Sequence, residues 1–209
     1  MPKGSPELTN SRREEIISAC AKLYETMNFK DITIKEIGSA TSFTRTSIYN
    51  YFHTKEEIFL ALLQREYELW IADIENMRYQ NETMTAGQFA DGLAGTLSRR
   101  DRLLKILSMN LYDLEEYCRL DNLVEFKKVY KRTLDCISSC LKKFFTAMTD
   151  SDIQAFLYAF FPFIFGIYPY TKVTDKQASA MDKAGLAYPK LSIYEITRPV
   201  VLKLLQGFE

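Results

Sequence analysis

The chain has 209 residues, of which 27 are Lys or Arg and 27 are Asp or Glu, so its formal net charge at pH 7 is zero. This length is enough for one large domain or for a small domain joined to a larger one. An apolar fraction of 47% and a charged fraction of 26% exclude a disordered chain, a collagen-like chain and a disulfide scaffold. A zero net charge is unusual for a nucleic-acid-binding protein, which is often basic, so the positions of the charges have to decide that question.

Compartment and metal binding are the next questions that the composition addresses. The N-terminal residues carry no apolar stretch of the kind that directs secretion, so we expect a cytoplasmic protein. Cys136 and Cys140 share a helix face and could bind a metal if further ligands joined them, but the only histidine, His53, is distant in sequence. We therefore interpret the cysteines as small buried apolar side chains and expect no metal site and no cofactor.

Residues 155–170 carry no charge and could be mistaken for a membrane span. This stretch is shorter than the roughly 20 residues that a spanning helix needs, and it contains Pro162, Gly166 and Pro169. We expect it to form a buried helix, and we expect no membrane partner.

Apolar residues recur at spacings of three and four along the chain, which predicts an all-α fold. Helix starts are marked by the capping-box pattern, a Ser or Thr followed three residues later by Glu or Gln. The pattern occurs at these pairs: Ser11/Glu14, Thr33/Glu36, Thr54/Glu57, Thr85/Gln88, Ser151/Gln154 and Ser192/Glu195. Short helices are predicted after Thr33 and Thr44, between longer ones that begin near Ser11 and Thr54.

The remaining two thirds of the chain predict a larger helical region. The predicted helices cover about 85–98, 101–111, 121–146, 151–170 and 192–206. Pro199 is expected to kink the last helix or to mark its true start. Residues 171–191 are more polar and predict a loop or a short mobile helix. The helix over 121–146 has a basic outer face, which could be a second nucleic-acid surface but is better interpreted as a solvated helix face. That face carries Lys127, Lys128, Lys131, Arg132, Lys142 and Lys143.

The two short helices and the turn near residues 41–43 have the spacing of a helix-turn-helix. In the second of them, over 44–52, the side chains that face away from the core are rich in hydrogen-bond donors that suit phosphates and base edges. No Asp or Glu occurs from Ile37 to Lys55. We therefore expect a locally positive field there, although the charges of residues 1–57 sum to zero.

This segment contains the stretches Thr33-Ile34-Lys35-Glu36-Ile37, Phe43-Thr44-Arg45, Ser47-Ile48-Tyr49-Asn50-Tyr51-Phe52 and Lys55-Glu56-Glu57-Ile58. Together these stretches resemble the signature of TetR-family transcriptional regulators. The resemblance runs from about Ser11 to Leu63 and implies two domains. These are an N-terminal three-helix helix-turn-helix DNA-binding domain over residues 1–57 and a larger helical ligand-binding and dimerisation domain over residues 58–209. Ser42 stands where the family often has Gly, so it is expected to need a left-handed backbone, and Thr46 replaces another common Gly.

The resemblance implies roles for individual residues of the helix-turn-helix. The residues assigned to DNA binding are Thr33, Thr44, Arg45, Thr46, Ser47, Tyr49, Asn50, Tyr51 and Lys55. Among these, Arg45, Thr46 and Asn50 are placed to reach base edges. The phosphate contacts would come from Thr33, Tyr49, Tyr51 and Lys55, with Arg12 and Arg13 near the first helix. The scaffold would consist of Ile37, Phe43, Ile48 and Phe52.

An aromatic cluster between residues 156 and 170 leaves three interpretations open: ordinary core, a dimer interface or a ligand pocket. Regulators of the resembled family typically pack their last two long helices against a partner subunit. The ligand-pocket candidates are Trp70, Met109, Tyr112, Phe161 and Phe165. The dimer-interface candidates are Phe156, Phe160, Phe163, Val201 and Leu205.

The resemblance implies a homodimeric, sequence-specific DNA-binding transcriptional regulator. We interpret it as a repressor that a small-molecule effector of unknown identity releases from a palindromic double-stranded DNA operator. The alternative is a DNA-binding regulator without a small-molecule effector, controlled by a protein partner or by its own abundance. An enzyme is not expected, because the sequence shows no Gly-rich phosphate loop or metal-ligand cluster. Ser-His-Asp or Cys-His catalysis would have to use His53, which lies beside the helix over 44–52 that is predicted to contact DNA.

Overall fold

The computed structural model describes residues 5–42 and 44–208, apart from the side chains of Pro6 and Met109. All regular elements in these residues are helices, which confirms the predicted all-α fold. In chain order they are α1 (Pro6–Thr26), α2 (Ile34–Ser39), α3 (Arg45–Ile48), α4 (Lys55–Gln80), α5 (Ala86–Ser98), α6 (Asp101–Glu116), α7 (Leu120–Phe144), α8 (Asp150–Gly166), α9 (Tyr168–Thr171), α10 (Asp175–Lys183) and α11 (Ile193–Leu204).

The chain folds into two compact units. The first unit runs to Arg65 and also includes Asn110–Val129, and the second consists of Glu66–Met109 and the residues from Tyr130 onward. The helices α4, α6 and α7 therefore contribute residues to both units. The predicted division between residues 57 and 58 stays a prediction.

The core of the first unit forms between α1, the two short helices and the start of α4. The predicted scaffold residues Ile37, Ile48 and Phe52 are buried, whereas Phe43 lies outside the described residues. The ring of Phe59 contacts that of Tyr24 edge-on, with the two ring centroids 5.0 Å apart. Burial of these side chains holds the helix-turn-helix against α4 through the hydrophobic effect.

The core of the second unit is built around Trp70, which is fully buried. Its indole Nε1–H donates to Thr96 Oγ1 at 3.1 Å, which satisfies a polar group that burial would otherwise leave unpaired. The Phe160 ring stands edge-on to Phe161 at a centroid distance of 6.1 Å, and the Phe161 ring lies 6.3 Å from that of Trp70. Much of the aromatic cluster is thus ordinary core.

Several predicted helix starts differ from the observed ones. The side chain of Ser5 caps α1, so Ser11 lies inside that helix rather than at its start. The capping box of α8 is formed by Thr149 and Asp152, two residues before the predicted pair that starts at Ser151. In each case another hydroxyl side chain earlier in the chain supplies the cap, as a single hydrogen bond from the N–H of Leu8 in α1 and as a capping box in α8.

Other start signals are confirmed, and one was not recognised. Thr85 and Ser192 form capping boxes with the predicted partners. A further box at Thr174 starts α10, within the segment that predicted a loop or a short mobile helix. Pro199 lies inside α11, so it does not mark the start of that helix.

The backbone of Ser42 does not adopt a left-handed conformation. Among the described residues, positive φ angles occur only at glycines, namely Gly185 and Gly207. The expectation that Ser42 adopts a left-handed conformation is therefore wrong. No helix among the described residues is long and apolar enough to span a membrane.

Candidate nucleic-acid interface

Two threonine caps define the helix-turn-helix. Thr33 precedes α2, and its Oγ1 accepts a hydrogen bond from the backbone N–H of Lys35 at 3.2 Å. Thr44 precedes α3, and its Oγ1 accepts from the N–H of Ser47 at 3.3 Å. Such caps replace hydrogen bonds that the first turn of a helix lacks, so each hydroxyl stabilises its helix start.

The second of these helices is shorter than predicted. It ends at Ile48 rather than near residue 52, and the chain continues in turns. The N–H of Tyr51 donates to Ile48 O at 2.9 Å and that of Phe52 donates to the same oxygen at 3.0 Å. We call residues 44–52 the reading segment. The buried side chains of Ile48 and Phe52 anchor it to the core, so the residues between them are held close to the protein surface.

The predicted base-reading residues lie exposed in this segment. The side chains of Arg45, Thr46 and Asn50 are all exposed. Arg45 Nη2 lies 3.4 Å from the hydroxyl of Tyr49 and donates to it, and Tyr49 is 41% exposed. Ser47 is half-buried. Consecutive residues of one short helix and its following turns thus present hydrogen-bonding groups to solvent.

The turn between α2 and α3 is anchored by a carboxylate from α1. The backbone N–H of Ser42 donates to Glu15 Oε1 at 2.6 Å. Glu15 lies outside the stretch of sequence that has no Asp or Glu, but folding brings its carboxylate to the turn. The predicted positive field at the turn is therefore opposed by this negative charge. Charges distant in sequence contribute to the field when folding brings them close.

Two arginines of α1 lie beside the end of the reading segment. Arg12 Nη1 donates to the hydroxyl of Tyr51 at 3.3 Å, and the guanidinium carbon of Arg13 lies 4.7 Å from the ring centroid of Phe52. A cation above an aromatic ring is attracted by the negative face of that ring. These contacts bring both arginines to the region where phosphate contacts were predicted.

Lys55 has a structural partner as well as a predicted DNA contact. Its Nζ donates to the carbonyl oxygen of Phe29 at 2.8 Å and lies 4.2 Å from the centroid of that ring. The ammonium group therefore ties the start of α4 to the loop after α1. An ammonium group has three N–H donors, so a phosphate contact at Lys55 would have to use the N–H groups that are not bonded to the Phe29 carbonyl.

A buried carboxylate lies directly after the reading segment. Glu57 is 2% exposed, and its two oxygens accept from Arg119 Nε at 2.5 Å and from Arg119 Nη2 at 2.9 Å. The backbone N–H of His53 donates to Glu57 Oε2 at 2.8 Å. Burial by itself raises the pKa of Glu57, but the hydrogen bonds from Arg119 and His53 outweigh it and hold the pKa below its ordinary value. The carboxylate thus remains charged and connects three segments of the first unit.

The sequence predicted Glu57 as the capping partner of Thr54 and as part of the stretch over residues 55–58, but it gave this residue no distant partner. The N–H of Glu57 does donate to Thr54 Oγ1 at 3.2 Å. Its carboxylate, however, is used by Arg119, which is 62 residues away in the chain. No local pattern points to a partner at that separation.

The basic outer face of α7 is largely occupied by neighbouring acids. Lys128 Nζ lies 2.7 Å from Glu125 Oε1, and Lys131 Nζ lies 2.5 Å from Asp135 Oδ2. Further ion pairs of this face are Lys127–Glu115, Arg132–Glu68 and Lys142–Asp150. Such pairs neutralise the stripe, so a solvated helix face remains the better interpretation.

A cavity of about 560 Å³ opens between α7 and α8 in the second unit. Of the predicted pocket residues, Phe161 and Phe165 line it, and Trp70 lies behind Phe161. Tyr112 is 80% exposed and belongs to the first unit, and the side chain of Met109 lies outside the described part of the chain. The lining residues are Tyr130, Lys131, Leu134, Asp135, Gln154, Leu157, Tyr158, Phe161, Pro162 and Phe165.

The predicted dimer-interface residues lie mostly in the core of the single chain. Phe156, Phe160, Val201 and Leu205 are all at most 2% exposed, so these four assignments are corrected: their side chains pack internally and are not on the surface. Phe163 is partly exposed. The outward faces of these helices carry smaller or more polar residues, such as Ala155 and Ala159 on α8 and Glu195 and Lys203 on α11.

Two family models match the chain. Residues 16–62 match the model described as bacterial regulatory proteins, tetR family. Residues 64–209 match the model described as the tetracyclin repressor-like C-terminal domain. Together they cover most of the chain and confirm the resemblance stated from the sequence. No curated protein matches the chain in sequence.

Several solved structures share the fold at low sequence identity. A transcriptional regulator of the TetR/AcrR family from Thermobifida fusca has a TM-score of 0.64 and 17% identity, covering 95% of this chain and 99% of its own. The fatty acid degradation regulator FadR from Bacillus halodurans has a TM-score of 0.60 and 16% identity, covering 94% and 99%. The regulator FadR from Bacillus subtilis, solved in complex with stearoyl-CoA, has a TM-score of 0.61 and 15% identity, covering 94% and 99%. At these identities the likeness shows the fold alone.

Proposed function

Because this chain belongs to the TetR family of bacterial transcriptional regulators, we propose that it is a homodimeric repressor of a palindromic DNA operator. A small-molecule effector bound by the second unit would release it from that operator. Each subunit would place α3 and the following turns in the major groove of one half-site.

The observation that carries the DNA-binding role is the exposed hydrogen-bonding surface around α3. Arg45 and Asn50 carry the two side-chain types that bond most specifically to guanine and adenine edges. Both are exposed, while Ile48 between them is fully buried. A fixed backbone with exposed donors is the arrangement that base recognition needs.

Phosphate contacts would position this segment on the duplex. Thr33 and Thr44 are exposed, and Tyr49, Tyr51 and Lys55 supply further donors. These groups carry few positive charges, so we expect a modest dependence of affinity on salt concentration compared with a strongly basic protein.

The outward face of α8 supports the proposed dimer. Ala155, Ala159, Pro162 and Gly166 are exposed at successive turns, and a Cβ added to Gly166 would meet no atom of the chain within 4 Å. Residues 155–166 carry no charged side chain. Two copies could therefore approach closely along this face without removing a charge from water.

The cavity in the second unit favours an effector-responsive regulator over one controlled only by a protein partner or by abundance. Its volume of about 560 Å³ lies in the range of small-molecule sites. The structurally similar FadR of Bacillus subtilis was solved with stearoyl-CoA, which supports a small-molecule effector without identifying the one used here.

The proposal is tested by selecting DNA from a random-sequence pool with the full chain. We expect enrichment of an inverted repeat, with one protein dimer bound per site in light scattering. The half-site centres should lie about one helical turn apart or a multiple of it. Enrichment of no sequence, or binding as a monomer to a single half-site, would contradict the proposal.

A further inference from the structure

The helix α8 presents different residues to the core and to the cavity. Phe156 and Phe160 are buried in the core. Leu157, Phe161 and Phe165 line the cavity on the side of α7. This separation of faces follows from the helical period of 3.6 residues, and it leaves an apolar wall open to a molecule that enters beside α7.

The aromatic wall of the cavity is held in place by its own contacts. The Tyr130 ring stands edge-on to the Phe161 ring, with centroids 5.5 Å apart, and lies 6.5 Å from the Phe165 ring. Behind Phe161 lies Trp70, whose indole N–H is bonded to Thr96. A ligand therefore meets a preformed apolar surface, which reduces the entropy lost on binding.

The polar groups of the cavity lie toward solvent and are balanced in charge. Lys131 and Asp135 pair with each other at 2.5 Å, and their side chains are 75% and 60% exposed. They are the charged members of the described lining, which otherwise offers the amide of Gln154 and the phenols of Tyr130 and Tyr158, and Tyr158 is 73% exposed. A charged ligand would therefore find no unpaired counter-charge, whereas the loss of its hydration is unfavourable.

We propose that this cavity between α7 and α8 binds a neutral small molecule with an apolar body and one hydrogen-bonding end. The body packs against Tyr130, Phe161 and Phe165, and the polar end lies near Gln154 and Tyr158. This assignment rests on the proposed function, because it identifies the cavity as the effector site and names the chemical class of the effector.

Trp70 provides a site-specific signal for the test, because it is the only tryptophan of the chain and contacts Phe161. Decan-1-ol, decanoate and decylammonium share one alkyl chain and differ in the charge of the end group. Each is titrated below its aggregation concentration into the full chain at pH 7, without DNA, by calorimetry and by Trp70 fluorescence. We expect decan-1-ol to change the fluorescence and to bind about tenfold more tightly than either ion, a difference of about 1.4 kcal/mol.

Two matched substitutions test the position of the site. Leu134 lines the cavity, so Leu134→Phe should fill part of it and weaken decan-1-ol binding about tenfold or more. Leu69 is 45% exposed on α4 and is not among the cavity residues, so Leu69→Phe makes the same chemical change elsewhere. Circular dichroism and thermal unfolding verify that both variants fold like the original chain.

The outcomes separate this inference from the proposed function. No binding of decan-1-ol, tighter binding of either ion, or equal binding by the Leu134→Phe and Leu69→Phe variants would overturn the assignment of the cavity, even if the chain binds its operator. Binding of decan-1-ol that is lost in Leu134→Phe supports the assignment. If that binding then leaves operator affinity unchanged, the effector role fails while the ligand class stands.

Discussion

Replacing Glu57 by Gln tests whether the buried carboxylate stabilises the reading segment through Arg119. The substitution keeps the volume of the side chain but removes its charge and one acceptor oxygen. The Gln oxygen can still accept from His53 or from Arg119, whereas its NH₂ group faces further N–H donors. The guanidinium of Arg119 then loses its bidentate contact with a carboxylate, which is among the stronger types of hydrogen bond in proteins.

The expected magnitude follows from the burial of the two partners. Removing one partner of a buried ion pair costs about 3–5 kcal/mol. The Arg119 side chain is 48% exposed and recovers part of its hydration, so we expect a loss of about 2 kcal/mol. For a chain of this size the melting temperature Tm should fall by about 4–8 °C, measured by circular dichroism at pH 7.

The matched control is Glu56→Gln, one residue earlier in the first turn of α4. Both substitutions remove one negative charge near the same helix N-terminus, so they share any loss of interaction with the helix dipole. We expect Glu56→Gln to cost less than about 0.5 kcal/mol. Equal changes in Tm for the two variants would refute the reasoning, because they would show that only the common charge effect matters.

The pH dependence gives an independent check with a defined sign. The native pKa of Glu57 lies below its ordinary value of 4.5, so the charged carboxylate contributes stability above about pH 4.5. That contribution is lost as the pH falls through the lower native pKa. The difference in unfolding free energy between the original chain and Glu57→Gln should therefore be constant near neutrality and narrow below pH 4.5.

Three further predictions concern DNA binding and helix capping. Arg45→Ala should weaken binding to the selected operator by about 1–3 kcal/mol in fluorescence anisotropy; an unchanged affinity would show that the reading helix is misassigned. Lys128→Ala should change the same affinity less than about twofold, since Lys128 is paired with Glu125 on the solvated face of α7; a loss as large as that of Arg45→Ala would establish a second DNA surface. Thr149→Ala should lower Tm by about 2–4 °C through loss of a cap worth about 1 kcal/mol, whereas Ser151→Ala should not; the reverse order would favour the cap predicted from the sequence.

The helix-turn-helix was predictable because its signals are local. A capping threonine and the spacing of buried residues such as Ile37, Ile48 and Phe52 lie within a few residues of each other. Those signals gave the positions of α2 and α3, although α3 ends at Ile48, earlier than expected. The end of a short helix depends on how its last turn packs, which the periodicity does not record.

The candidate sites in the second unit were less predictable. The sequence indicated an aromatic cluster but not which rings face inward. Phe156 and Phe160 proved to be core, while Phe161 and Phe165 line the cavity. These residues have the same chemistry and neighbouring positions, so only the placement of α7 and the other helices around α8 distinguishes their roles.

The sequence by itself determined that the regular elements of this protein are helices, that a helix-turn-helix lies near its N-terminus, and which family it belongs to. Each of these follows from neighbouring residues, through periodicity, caps and a contiguous motif. Only the tertiary structure decided that Glu15 lies at the turn, that Glu57 pairs with Arg119, and that a cavity opens between α7 and α8. Those features join residues far apart in the chain, and their contacts depend on how whole helices pack rather than on any local pattern.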